Sequence, residues 1–200
     1  MNILILGGTV FLGRAMVDAA RAHGHQLTLF NRGVSAPSLY PDVEQIHGER
    51  ERDLHLLGER KWDAVIDTCG YIPRIARISA RSLAEKASAY VFISSLSVYS
   101  NSGLVGGDEN GTLARLDDES VEEVNGETYG GLKALCEKAV EEEMPGRAWI
   151  VRPGLIVGPY DPSDRFTYWP WRVAQGGAVL APKPPHRPLQ FIDVRDLAEW

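Results

Sequence analysis

Cysteine is scarce. Cys69 and Cys136 are the two in 200 residues, they stand in unrelated contexts, and no CxxC or Cys/His spacing would close a zinc site. That argues against a disulfide scaffold, so both thiols are expected to be reduced and no metal is expected. Long hydrophobic runs are missing as well. No segment approaches the ~20 apolar residues of a membrane-spanning helix. The apolar start at 1–6 runs straight into Gly7 and Gly8, without the basic flank and cleavage site of a secretory signal, so a cytoplasmic location is expected. The third absence is an excess of positive charge. With 21 Lys and Arg against 27 Asp and Glu, the formal net charge is −6, which disfavours a dedicated nucleic-acid binder needing a basic face for phosphates.

What is present suits a folded α/β protein. Hydrophobic residues at 44% and charged residues at 24% are close to the soluble average, which points away from disorder and fibrous repeats. Short apolar runs at 2–6, 26–30, 43–46, 62–67, 90–94 and 148–152 read as strands. Helical segments are expected between them at 11–21, 52–60, 74–86 and 128–143. Strict alternation of the two implies a doubly wound parallel sheet, a Rossmann fold with helices on both faces. Residues 101–125 are rich in Gly, Asp, Glu and Ser and are expected to form a long loop. Residues 159–188, rich in Pro, Trp and Gly, read as an irregular lid or cleft wall. The last ten residues, FIDVRDLAEW, read as a strand entering a helix that stops without a cap, as in a truncated chain.

The segment ILILGGTVFLGR sets Gly7, Gly8 and Gly13 between the first strand and the first helix. Backbone N–H groups and the helix N-terminus at such a turn can hold a pyrophosphate, and Thr9, Val10, Phe11 and Leu12 complete it. A plain tight turn is the simpler alternative for the glycines alone. The second strand ends in LFNRG, where an NAD-binding protein usually carries an acid for the ribose 2′-hydroxyl. Asn31 followed by Arg32 instead tolerates a 2′-phosphate, favouring NADP over NAD, although Arg32 also suits a solvated loop. Glu49, after the third strand, stands where adenine would be contacted, or is an exposed loop carboxylate.

Tyr129 and Lys133 stand four apart at the start of a predicted helix and share one face. A phenol is a poor base at neutral pH, and a nearby ammonium favours its phenolate, so Tyr129 could exchange a proton with a substrate oxygen. Alone, Tyr-x-x-x-Lys is more often a surface pair. Here VFISSLSVY puts Ser94, Ser95 and Ser97 at the carboxyl end of the sheet, where open α/β folds build their sites.

The pieces GGTVFLG, WDAVIDTCG, SSLSVYS, YGGLK, RPGLIVGPYD and FIDVRDLA, in this order along the whole chain, resemble the extended short-chain dehydrogenases/reductases of the NAD-dependent epimerase/dehydratase group. The resemblance implies a dinucleotide-binding domain over 1–158 and the start of a substrate-binding region over 159–200, most of which is missing. It implies catalytic roles for Ser95, Tyr129 as acid/base, and Lys133, which holds the ribose and lowers the tyrosine pKa. Thr68, Cys69, Gly70 and Ser94 would border the cofactor, with Pro153 and Ile156 near its nicotinamide. The implied activity is interconversion of a hydroxyl and a ketone, on a substrate such as a nucleotide sugar, in a homodimer formed through the tyrosine helix. Two departures matter. Val10 replaces the middle fingerprint glycine and is expected to crowd the pyrophosphate, while Leu96 and Ser97 replace the Asp-Glu pair of related sugar dehydratases. Because relatives with similar glycine turns include plastid RNA-binding proteins, a non-catalytic nucleotide- or RNA-binding protein is the alternative.

Overall fold

The computed structural model describes residues 1–101, 105–181, 186 and 188–200. Parts of the loop expected at 101–125 and of the irregular stretch expected at 159–188 therefore lie outside the described residues, at 102–104, 182–185 and 187.

Six strands, β1 (Asn2–Leu6), β2 (Gln26–Asn31), β3 (Glu44–His47), β4 (Trp62–Asp67), β5 (Ala87–Ile93) and β6 (Ala148–Val151), pair in the order β3-β2-β1-β4-β5-β6. Every pairing is parallel, as the alternating sequence pattern requires. Helices α1 (Phe11–Ala22), α2 (Pro73–Leu83) and α3 (Tyr129–Glu143) make crossovers. The chain moves outward from β1 to β3 and then returns to the other side of β1 as β4. That reversal opens a crevice at the carboxyl ends of β1 and β4, the usual place for a ligand in an open α/β sheet.

Side chains alternate across a strand, and β1 uses both faces. Leu4 and Leu6 enter the layer under α2 and α3 with Ala76, Ala80, Cys136 and Val140. Ile3 and Ile5 enter the layer under α1 with Met16 and Val17. Leu4, Ile5 and Leu6 are fully buried, each contributing about 1.5–3 kcal/mol of burial free energy, so the strand that presents the glycine turn is firmly held.

Three local expectations need correction. The helix expected at 52–60 is a 3₁₀ turn at Leu54–Leu57: one turn already buries Leu54 and Leu57 at i, i+3, and Gly58 at φ +62° ends it. β5 begins three residues earlier than its β-branched stretch suggested, because Ala87 and Ala89 pair with Trp62 and Ala64 of β4. The segment 159–188 is not wholly irregular, since α4 (Tyr168–Ala174) lies within it. Before it, β7 (Leu155–Val157) pairs in parallel with β8 (Phe191–Asp193) to form a second small sheet, and β8 leads into α5 (Val194–Glu199). No helix among the described residues is long and apolar enough to cross a membrane.

Candidate functional site

β1 delivers Gly7 and Gly8 at φ +110° and +99°, a region that strongly favours glycine. A Cβ at Gly7 would lie 2.5 Å from Thr68 Oγ1, and one at Gly13 would lie 2.8 Å from the backbone nitrogen of Gly8. The turn thus packs backbone to backbone against the first turn of α1 and close against the Thr68 side chain just after β4. Val10 is the N-cap of α1, extended at φ −128°, with no side-chain cap on the helix. Its backbone needs no glycine; the conformational strain lies at the next residue, Phe11, at φ +39°. The Val10 side chain is half exposed.

Asn31 braces this turn. Its Nδ2 donates to the Gly7 carbonyl and to Gln45 Oε1, both at 3.4 Å, and its Oδ1 accepts from the Gly33 N–H at 2.8 Å. Arg32 beside it is exposed and has no ion-pair partner among the described residues. Glu49 is less free, since its carboxylate pairs with Arg52.

The floor of the crevice holds a charged pair that the sequence reading missed. Asp67, fully buried at the end of β4, receives Arg50 Nη1 and Nη2 at 2.8 and 2.5 Å, the Tyr90 hydroxyl at 3.0 Å and the Cys69 N–H at 3.0 Å. Burial alone would raise the Asp67 pKa, but the charge and hydrogen bonds of Arg50 outweigh it and leave the carboxyl below its ordinary value. The Cys69 residue is exposed overall, yet its sulfur faces this floor, 3.1 Å from Arg50 Nη2. Burial pushes that thiol up. The available signal is Asp67 itself, an acid at the position of β4 next to the apolar Val65 and Ile66, which needs a partner once buried.

Ser95 caps a 3₁₀ turn at Leu96–Val98, its Oγ accepting from the Ser97 N–H at 3.1 Å. Ser94 is 5% exposed and its hydroxyl has no partner among the described residues. Tyr129 is half buried at the first position of α3, and Gly130 lets the helix approach closely, since a Cβ there would sit 2.2 Å from the Ser97 carbonyl oxygen. Lys133 is buried and donates to the carbonyls of Gly70 and Ile93, both at 2.7 Å, with its Nζ 4.1 Å from the Phe92 ring centroid. Burial lowers its pKa, partly opposed by the charge of Asp67. Among the described residues the Lys133 ammonium is bound to these carbonyls and not to the Tyr129 hydroxyl.

The site residues expected from the sequence, with one exception, open on one cleft of about 2100 Å³. It is lined by the turn residues from Gly7 to Gly13, by Asn31, Arg32, Glu49, Thr68 and Cys69, and by Ser94, Ser95, Tyr129, Lys133, Pro153 and Ile156. Gly70 is the exception: it is buried beneath the cleft and acts through its carbonyl on Lys133. Sequence reasoning missed Arg50, Tyr71, Arg165, Trp169 and Gln190, which also line the cleft.

A parallel sheet of this order with a glycine turn at its switch point defines the Rossmann class of dinucleotide-binding folds. No protein-family model matches the chain. It is 29% identical over 98% of its length to the chloroplast stem-loop binding protein of 41 kDa b of Arabidopsis thaliana, and 25% identical over 99% to the epimerase family protein SDR39U1 of Bos taurus. The chain spans 53% of the first and 68% of the second. Among solved structures, a UDP-glucuronic acid 4-epimerase mutant from Bacillus cereus, in complex with NAD, superposes with TM-score 0.73 at 14% identity, over 99% of this chain and 71% of that one. Human SDR39U1 with NADPH gives TM-score 0.67 at 21% identity, over 99% and 68%. The chain therefore has the fold of the NAD-dependent epimerase/dehydratase group of extended short-chain dehydrogenases/reductases.

Proposed function

We propose that this chain carries the cofactor site and proton-transfer residues of an NAD(P)-dependent oxidoreductase or epimerase that interconverts a hydroxyl and a ketone, on a substrate such as a nucleotide sugar. The observation that carries the reading is the convergence of the glycine turn with Ser95, Tyr129 and Lys133 on one cleft. The residues present fit a dinucleotide. Gly7 and Gly8 make a cradle without side chains, α1 begins there without a side-chain cap, and the buried Ser94 hydroxyl lacks a partner among the described residues. When bound, the dinucleotide supplies hydride transfer.

The chain's own residues do the rest. Tyr129 exchanges a proton with the reacting substrate oxygen. Lys133, one turn further along the helix, lines the same cleft, and the carbonyls of Gly70 and Ile93 hold its ammonium in place. Ser95 orients the substrate oxygen. Asn31 and Arg32 favour NADP over NAD, because no carboxylate at the end of β2 opposes a 2′-phosphate and the exposed guanidinium can pair with one. Leu96 and Ser97 after Ser95 disfavour sugar dehydration.

Fluorescence titration with NADPH and NADH, followed by absorbance assays with candidate nucleotide sugars, tests the reading. Dinucleotide binding with substrate-dependent absorbance change supports it, and no binding of either dinucleotide overturns it. The 29%-identical stem-loop-binding relative favours a second reading, a non-catalytic RNA-binding protein. A gel shift with structured RNA that occurs without any dinucleotide binding would support that one instead.

A further inference from the structure

Arg152, directly after β6, is shared by three parts of the chain. Its Nε and Nη2 donate to the Glu137 carboxylate at 3.0 and 2.7 Å, and its Nη1 donates to the Tyr99 hydroxyl at 2.8 Å and the Glu109 carbonyl at 3.1 Å. Glu137 is 2% exposed and lies on α3 four residues beyond Lys133, one helical turn on. Tyr99 follows the 3₁₀ turn that Ser95 begins. That turn is tied to the next loop by the Tyr99–Leu113 bridge and by the Ala114 N–H bonded to the Val98 carbonyl at 2.7 Å. One guanidinium thus joins the end of the strand before Pro153, the helix bearing Tyr129 and Lys133, and the turn bearing Ser95.

A buried ion pair is an uneconomical way to gain stability, since apolar groups of similar size often do as well. Its planar fork is, however, well suited to fixing directions. We propose that Arg152 is a positioning residue that holds the Ser95 turn in register with the Tyr129–Lys133 helix, with Glu137 and Tyr99 as the two anchors. The inference rests on the functional reading above. Arg152 does not line the cleft, so it acts only through the groups it aligns.

The test combines steady-state kinetics, dinucleotide titration and hydrogen exchange on the purified protein. In Arg152→Met, kcat should fall by roughly 10²-fold, the scale expected when reacting groups are misplaced by about an ångström, while dinucleotide affinity stays at the wild-type level. Amide exchange should quicken in 95–101, 109–114 and 129–137 and stay unchanged in 7–13. Arg152→Lys should restore part of the rate. An unchanged kcat, or exchange quickened equally throughout the chain, would overturn the proposal. Should Arg152→Met fail to fold, Tyr99→Phe removes one anchor alone: lower kcat with faster exchange at 95–101 supports the clamp, and no change in either overturns it. If the wild type binds no dinucleotide, the functional reading fails, and the exchange pattern alone decides whether the clamp exists.

Discussion

Arg50 and Asp67 meet as a two-pronged ion pair beneath the cleft, Nη1 and Nη2 lying 2.8 and 2.5 Å from the two carboxylate oxygens. Removing one partner strands a buried charge, so Arg50→Met should cost about 3–5 kcal/mol near neutral pH. The pH dependence has a defined sign. In the wild type the folded Asp67 pKa is depressed, so its stabilisation is present above the unfolded value of ~3.9 and is lost as pH falls through the lower folded value. Without Arg50, burial is left to raise the pKa, and the variant recovers relative to the wild type on acidification. Denaturant unfolding at several pH values should show the gap between the two proteins narrowing as pH falls from neutral toward and below the unfolded value of ~3.9. A constant gap would mean that the pair is not coupled to stability in this way.

Arg32 is exposed and unpaired among the described residues, so removing it should cost little stability, within about ±0.5 kcal/mol for such a surface change. Its effect should appear in cofactor choice. NADPH should bind more tightly than NADH, and Arg32→Ala should erase most of that difference while leaving NADH binding alone. Parallel titrations decide it, and equal losses for both dinucleotides would assign Arg32 no role at the 2′-phosphate.

Val10 stands half exposed at the mouth of the glycine turn with an unstrained extended backbone. Its effect on a ligand should therefore be steric, and Val10→Gly should tighten dinucleotide binding by titration. Unchanged or weaker affinity would show that the turn already accommodates the valine.

The fold was legible because both of its signals are local. Apolar runs such as NILIL and WDAVID end at Gly7 and Asp67, and the glycine spacing marks the first crossover. The Ser, Tyr and Lys positions were readable for the same reason, as strand-end and helix-start motifs. What stayed hidden depends on partners far apart in sequence. Arg50 meets Asp67 across 17 residues, and Arg152 meets Tyr99 across 53, and neither residue belongs to a pattern that announces its partner. Nothing in the LFNRG motif announces that the Asn31 amide braces Gly7 and Gly33. β8 was legible at the start of FIDVRDLAEW, but its partner β7 was hidden, since the three residues Leu155–Val157 are too few for a periodicity to emerge.

The proposed chemistry turns on Tyr129 acting as acid/base with Lys133 one helical turn away. Residues that work as a unit lose function together, so Tyr129→Phe/Lys133→Met should be hardly slower than the worse single variant, whereas multiplicative losses would indicate independent roles. The most direct measurement is turnover of Tyr129→Phe alongside its dinucleotide affinity, with a substrate the wild type accepts. In Tyr129→Phe, kcat should fall by roughly 10²–10⁴-fold with dinucleotide binding nearly intact. Wild-type turnover in Tyr129→Phe would contradict it.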